Sequence, residues 1–237
     1  MMANPYTRSA EFYDLIYEFR DIPGLNKALI RYLEEHVPEA RSLLDVACGT
    51  GQQLEALTMY DRMGTDLSPD ILAVAAERVP EVPLHVQDMV ELDVPRRFDA
   101  VICLASAISY VRTHERLERA ISRMAAHLEP GGALLIEPWF TPTQFWDGHL
   151  AARHAADDTV HLSWMYRQER QGRLSVLPIH YLVGGAEGVE HWVETHEMGL
   201  FTDDEYTSAL RAAGLEVVPD PGDLFGRKMY VAHKPRG

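Results

Sequence analysis

Between Ser42 and Glu137, short apolar runs alternate with amphipathic stretches. Ser42 to Val46, Met59 to Asp66, Pro83 to Gln87, Phe98 to Leu104 and Ala133 to Glu137 read as strands. Gln52 to Thr58, a segment capped by Ser68 that runs through Arg78, and Arg116 to Leu128 read as helices. Pro69 stands at a first helical position, where its missing N–H costs nothing. Gly131-Gly132 reads as a turn. Such alternation predicts an α/β fold: a parallel sheet with helices on both faces. Ahead of it, Ser9 is a candidate N-cap, and Phe12, Tyr13, Ile16 and Tyr17 recur at helical spacing. Pro23 to Val37 predicts a second amphipathic helix, ended by Pro38.

Past Pro142 the period changes to two. Asp158 to Gln168, Arg173 to Val183 and Val189 to Gly199 are separated by Gly172, Gly184-Gly185 and Gly188. These runs predict hairpins of an inserted antiparallel sheet. Thr202-Asp203-Asp204-Glu205 is a capping box for a helix that runs to Ala213 and stops at Gly214. Leu215 to Val218 and Lys228 to His233 read as the last strands. The chain thus divides into an N-terminal helical segment (1–40), an α/β domain (41–140 with 200–237) and a β insertion (141–199).

Composition narrows the function. At 237 residues the chain can bury a sizeable core. A net charge of −14 argues against a nucleic-acid groove and against an anionic membrane surface, both of which need clustered cations. Cys48 and Cys103 lie in apolar stretches with no disulfide framework or zinc spacing, which suits a reducing, cytoplasmic setting. No secretory signal opens the chain and no apolar run reaches membrane-spanning length. No metal is expected. His180, His191 and His196 lack a ligand pattern and read as sheet-surface residues.

The candidate chemistry sits at strand ends, where open parallel sheets bind ligands. Leu43-Leu44-Asp45-Val46-Ala47-Cys48-Gly49-Thr50-Gly51 runs a strand into a glycine turn and a helix start. Gly49 lets backbone approach a ligand closely. The third glycine of a dinucleotide fingerprint would fall at Leu54, and the Lys-Ser/Thr of a P-loop is missing. Asp66 ends the second strand, where a carboxylate can accept from both ribose hydroxyls. Asp88-Met89 ends the third strand and Leu104-Ala105-Ser106-Ala107 the fourth. Ser109-Tyr110 and Glu137-Pro138-Trp139-Phe140 follow strands four and five.

Asp45-Val46-Ala47-Cys48-Gly49-Thr50-Gly51 resembles motif I of the class I S-adenosylmethionine-dependent methyltransferases. The resemblance implies their Rossmann-like sheet and S-adenosyl-L-methionine as cofactor. It implies cofactor contacts from Asp45, Ala47, Gly49, Asp66, Leu67 and Leu104, with Asp88 on the adenine amino group and Met89 on its ring. Tyr13-Asp14-Leu15-Ile16-Tyr17 is similar to a Tyr-Asp-x-x-Tyr/Phe helix that lids the cofactor pocket in that family, and Arg20 is placed to meet the methionine carboxylate.

His85 to Met89, His127 to Gly132, Glu137-Pro138-Trp139, His180 to Val183, Leu200-Phe201-Thr202 and Gly226-Arg227 extend the resemblance over nearly the whole chain. They make it most similar to the N-methyltransferases of dTDP-linked deoxyaminosugars, of desosamine or mycaminose type. The chain departs from them at Ala105-Ser106-Ala107, where Phe-Ser-Ser is usual, and at Trp139-Phe140, where Trp-Trp is usual. Tyr110 stands where some members carry histidine.

The implied reaction is methylation of the amine of a nucleotide-linked sugar, in secondary-metabolite biosynthesis. An amine with a free lone pair needs alignment more than a strong base. Tyr110, with Glu137 behind it, is the expected orienting pair. Trp139 and Phe140 are expected to wall off water, and Arg227 with Tyr6 to grip the diphosphate. The alternatives are an O- or C-methyltransferase of another natural product, or a cofactor-binding regulatory partner without turnover. A homodimer through the β insertion is a further expectation.

Overall fold

The computed structural model describes residue 6 and residues 8–224 and 226–237. Residues 1–5 and 7 of the expected N-terminal segment, and residue 225 of the late loop, lie outside the described residues. In chain order, α1 (Tyr13–Ile16) and α2 (Ile22–His36) lead into β1 (Ser42–Val46), α3 (Gln52–Ala56), β2 (Asp61–Asp66), α4 (Pro69–Arg78), β3 (Leu84–Val86) and β4 (Phe98–Cys103). Then come α5 (His114–Ala126) and β5 (Leu128–Ile136). The insertion carries β6 (Leu150–Ala156), β7 (His161–Arg167), β8 (Glu169–Gln171), β9 (Leu174–Gly185) and β10 (Gly188–Gly199). The chain closes with α6 (Asp203–Ala212), β11 (Glu216–Val217), β12 (Asp223–Leu224), β13 (Arg227–Lys228) and β14 (Tyr230–His233).

The central sheet has the order β11-β14-β5-β4-β1-β2-β3. β3, β2, β1, β4 and β5 are mutually parallel; at the edge β14 runs antiparallel to β5, and β11 runs antiparallel to β14. Alternate residues feed opposite cores. Leu44 and Val101 pack with α5 and α6 on one face, while Leu43, Ala100 and Ile102 pack with α2 and α4 on the other. The strand order reverses between β1 and β4, so a crevice opens at their carboxyl ends. This is the expected α/β architecture.

The inserted sheet has the order β10-β9-β7-β6, with β8 also on β9, and every pair is antiparallel. Leu162, Trp164, Ile179, Tyr181 and Met198 fill its inner face and close over Ile16 of α1, with Tyr110 and Trp139 packed at the margin. That third core ties the insertion to the crevice. No helix among the described residues is long and apolar enough to cross a membrane.

Three local expectations are corrected, and one strand, β6, forms where none was expected. Gly131-Gly132 is not a turn between elements but lies inside β5, where the register jumps from Phe98↔Leu128 to Ala100↔Ala133. A Cβ at Gly132 would stand 2.7 Å from the Asp99 carbonyl, so the bulge needs glycine there. Ser9 does not cap a helix: its hydroxyl goes to Glu194 of β10 instead. β6 carries no apolar alternation because only Ala155 of it is buried, as suits an edge strand. The short β12–β13 hairpin forms in the stretch expected to be a loop.

Candidate active site

Two strand ends make the floor of the crevice. After β1 the backbone turns left-handed at Ala47 (φ 61°), Gly49 (58°) and Gly51 (79°). After β4 it does so at Ala105 (52°) and Ser106 (63°). Left-handed backbone costs a non-glycine residue about 1–2 kcal/mol. Three such residues on facing strand ends mark a place where the surrounding fold holds strain. Small side chains at all three reduce the penalty and leave room. A Cβ at Gly49 would meet no protein atom within 4 Å, and Gly49 borders the cavities, so that space is available to a ligand.

The acids are pre-set by backbone. Asp66 Oδ2 accepts from Gly49 N (3.0 Å) and Oδ1 from Ser68 N (2.9 Å), which fixes the carboxylate facing the cavity. Burial nevertheless raises its pKa. Asp45, 2% exposed, is pushed well up by burial and then by the charge of Asp66. Asp88 accepts from Val90 N (3.1 Å) and pairs with Arg116 (3.0 Å).

The N-terminal segment is clamped over this floor. Asp14 accepts from Thr50 Oγ1 (2.9 Å) and Gln52 Nε2 (2.7 Å) and pairs with Arg78, which itself donates to Thr50 O (2.8 Å). One carboxylate thus joins α1 to the glycine turn and to α4. At the other end Glu194 accepts from the backbone N–H of Arg8 (2.9 Å) and of Ser9 (3.2 Å). Tyr6 meets Tyr13 edge to face and Tyr13 packs tilted on Tyr17 between the clamps, with ring centroids 5.5 and 4.7 Å apart.

Two adjoining cavities result. The smaller is lined by Tyr6, Tyr13, Asp66, Leu67, Asp88, Met89 and Tyr110. The larger is lined by Tyr17, Arg20, Asp45, Leu104, Glu137, Trp139 and Arg227. Tyr13, Ala47, Gly49 and Ala105 border both. Every residue expected to touch the cofactor therefore borders one cavity or both. Arg20 lies over the Tyr17 ring (4.4 Å) and has no acidic partner among the described residues. The Trp139 indole N–H is buried and also lacks a partner among them. A free cation and a preset carboxylate fit a zwitterionic nucleoside such as S-adenosylmethionine.

Not every expectation converges. Glu137 does not stand behind Tyr110. It accepts from Ala105 N (2.9 Å) and meets Arg227 Nε (3.3 Å), because it follows β5 next to the β4 end. The place behind Tyr110 belongs to His196, whose Nδ1 lies 2.6 Å from the Tyr110 hydroxyl. His196 is not a surface histidine; it is 3% exposed. Its parity on β10, shared with Trp192 and Met198, is the sequence signal that places it on the inner face. Tyr6 and Arg227 border different cavities: Tyr6 meets the Tyr110 hydroxyl (3.1 Å), and Arg227 donates to Ser106 Oγ (2.9 Å). Phe140 packs tilted against Trp139, with centroids 4.6 Å apart, but turns outward, 38% exposed, and lines neither cavity.

A family profile described as a methyltransferase domain matches residues 43–132, from β1 into β5. The chain is 38% identical, over 94% of its length and 89% of the relative's, to a dTDP-3-amino-3,6-dideoxy-alpha-D-glucopyranose N,N-dimethyltransferase of Streptomyces fradiae. Among solved structures it superposes on DesVI of Streptomyces venezuelae with a TM-score of 0.88 at 36% identity, covering 97% of this chain and 99% of that one. It also superposes on CalS10 of Micromonospora echinaspora, an amino pentose methyltransferase solved with S-adenosylmethionine bound. There the TM-score is 0.82 at 34% identity, covering 99% and 100% of the two chains. The chain belongs to the family of S-adenosylmethionine-dependent methyltransferases that includes these aminosugar N-methyltransferases.

Proposed function

We propose that the protein methylates the amine of a nucleotide-linked 3-amino deoxysugar in the space beside Tyr110. The observation that carries this reading is a wall of neutral phenols. A tyrosine phenol is protonated at neutral pH, and burial raises the pKa of Tyr6, Tyr13 and Tyr110 further still. Such a wall orients an acceptor that brings its own lone pair. It does little for a hydroxyl, which must shed a proton to a base. That favours N- over O-methylation.

The cofactor, when bound, supplies a methyl already activated by a sulfonium. The chain's own residues then have the task of alignment. In this reading Asp66 accepts from the ribose hydroxyls and Leu67 supports the sugar. Asp88 and Met89 hold the adenine. Arg20 meets the carboxylate, with Tyr13 and Tyr17 as cover and Asp45, Ala47, Gly49 and Leu104 as floor. The sugar amine sits beside the Tyr110 hydroxyl, and the Trp139 N–H donates to the sugar nucleotide. Arg227, steadied by Glu137, is the cation at the mouth of the larger cavity. Residues 141–199 act as the cover of the acceptor side.

The outer face of the inserted sheet supports a second copy as partner. Met165, His180 and Val193 are cross-strand neighbours there, and Met165, Leu182 and Val193 are nearly half exposed. A Leu182→Asp variant sedimenting as a monomer where the native chain sediments as a dimer is the expected result; native monomer removes the dimer.

The function is tested by incubating the protein with methyl-labelled cofactor and a panel of dTDP-linked 3-amino and 4-amino sugars and their hydroxyl counterparts. Label on the amino sugars is expected. Label confined to hydroxyl acceptors, or none on any, would overturn the reading.

A further inference from the structure

The hydrogen bonds around Tyr110 have a consequence for which of its atoms meets the substrate. A phenol offers one proton and two lone pairs. The Tyr110 hydroxyl has two protein neighbours, Tyr6 Oη at 3.1 Å and His196 Nδ1 at 2.6 Å. At 2.6 Å the Tyr110–His196 contact has the length of an O–H donor on an unprotonated ring nitrogen, so Tyr110 donates to Nδ1 and accepts from Tyr6. The opposite arrangement, with Nδ1–H donating to Tyr110, leaves the phenol proton for Tyr6 or for the cavity, and the His196→Asn and His196→Gln variants tell the two apart. In the first arrangement the Tyr110 proton and one lone pair of its oxygen are spent inside the chain. What remains for the cavity is the other lone pair.

We propose that His196 is a positioning residue for methyl transfer: its bond to Tyr110 keeps the phenol proton away from the acceptor amine, so that Tyr110 receives an amine N–H and the nitrogen lone pair stays free for the methyl group. This rests on the reading that places the amine beside Tyr110. Without His196 the Tyr110 proton is free to donate to the nitrogen lone pair and to block it. The same geometry serves a primary and a secondary amine, since each still has an N–H to give, and it offers nothing to a tertiary amine.

The surroundings suit this task. The imidazole is buried, and its Nε2 has no hydrogen-bond partner among the described residues. Tyr6 packs edge-on against it, with centroids 4.8 Å apart. Burial holds its pKa down to about 4, despite the opposing charge of Glu194, so the ring is neutral at working pH. Glu194 shares its strand face and holds the N-terminal arm that carries Tyr6. Arm, inserted sheet and the segment after β4 thus meet at one hydroxyl.

The test is steady-state kinetics with S-adenosylmethionine and dTDP-3-amino-3,6-dideoxyglucose on His196→Leu, His196→Asn, His196→Gln, Tyr110→Phe and the Tyr110→Phe/His196→Leu pair. His196→Leu is expected to lower kcat about 10- to 100-fold, with S-adenosylhomocysteine affinity held within about 2-fold. His196→Asn, whose amide oxygen stands near the Nδ1 position, is expected to stay within about 3-fold of the native kcat, and His196→Gln, which reaches past it, to fall with the leucine variant. The double variant should be no slower than Tyr110→Phe alone. Should His196→Leu fail to fold, the Asn against Gln comparison carries the decision. Equal kcat for native, Asn and Gln forms, or losses that multiply in the double variant, would overturn the positioning role. A Tyr110→Phe variant with native kcat would instead overturn the placement of the amine at Tyr110.

Discussion

The two sides of the crevice are built differently. The cofactor side is made by contiguous pieces of chain: a strand, its turn and the next helix start, repeated along β1, β2 and β4. Its key acid, Asp66, is held by backbone N–H groups no more than 17 positions away, those of Gly49 and Ser68. The acceptor side is assembled from three distant segments. Tyr6 and Tyr110 are 104 positions apart, Tyr110 and His196 are 86 apart, and Ser9 and Glu194 are 185 apart. Contiguous construction fixes a site through backbone geometry. Distant construction fixes it through side-chain contacts that only the finished fold supplies, and it is free to vary with the acceptor.

Breaking one side should therefore leave the other standing. The largest effect is expected for Asp66→Ala. Losing a backbone-held carboxylate that accepts from two hydroxyls should weaken S-adenosylhomocysteine binding by about 100-fold or more, measured by calorimetry. Its melting temperature should fall only modestly, because the N–H groups of Gly49 and Ser68 lose their acceptor while a buried charge is removed. Glu194→Ala should do the reverse. It strands the N–H groups of Arg8 and Ser9 and should cost about 1–3 kcal/mol in chemical denaturation, with a smaller change in cofactor affinity.

Asp45→Asn sharpens the contrast through pH. The folded-state pKa of Asp45 is raised by burial and then by Asp66. Below the ordinary aspartate value both folded and unfolded chains carry the proton. As pH rises through the folded value, stability is lost, because the buried carboxyl must ionise. The asparagine variant escapes this loss. Its advantage over the native chain should grow with pH to about 1 kcal/mol near neutrality, read from denaturation midpoints between acid and neutral buffer.

The same division explains what was legible before the fold was known. Glycines, proline at a helix start and the Thr202 capping box are local signals, and α4, α6 and β1 follow them. Asp45, Asp66 and Asp88 could be read as crevice residues because each sits at a strand end, and the fold alone brings strand ends together. Phe140 was misleading: its neighbour Trp139 faces the cavity, and adjacent residues after a strand point to opposite sides. Glu137 looked like a partner for Tyr110, but the nearer backbone N–H of Ala105 captures it. His196 needed the insertion's register, which the short Ala-rich β6 and the exposed β10 start obscured. Asp14 was visible only as part of a motif; its clamp on Thr50, Gln52 and Arg78 is a property of the assembled chain.

A crystal structure of the protein with S-adenosylhomocysteine and dTDP-3-amino-3,6-dideoxyglucose tests the account most directly. The sugar nitrogen should lie within hydrogen-bonding distance of the Tyr110 oxygen, on the side away from His196, with the sulfur across Ala105 from it. A nitrogen lodged against Arg227 or Asp45, with the Tyr110 oxygen touching only protein, would contradict it.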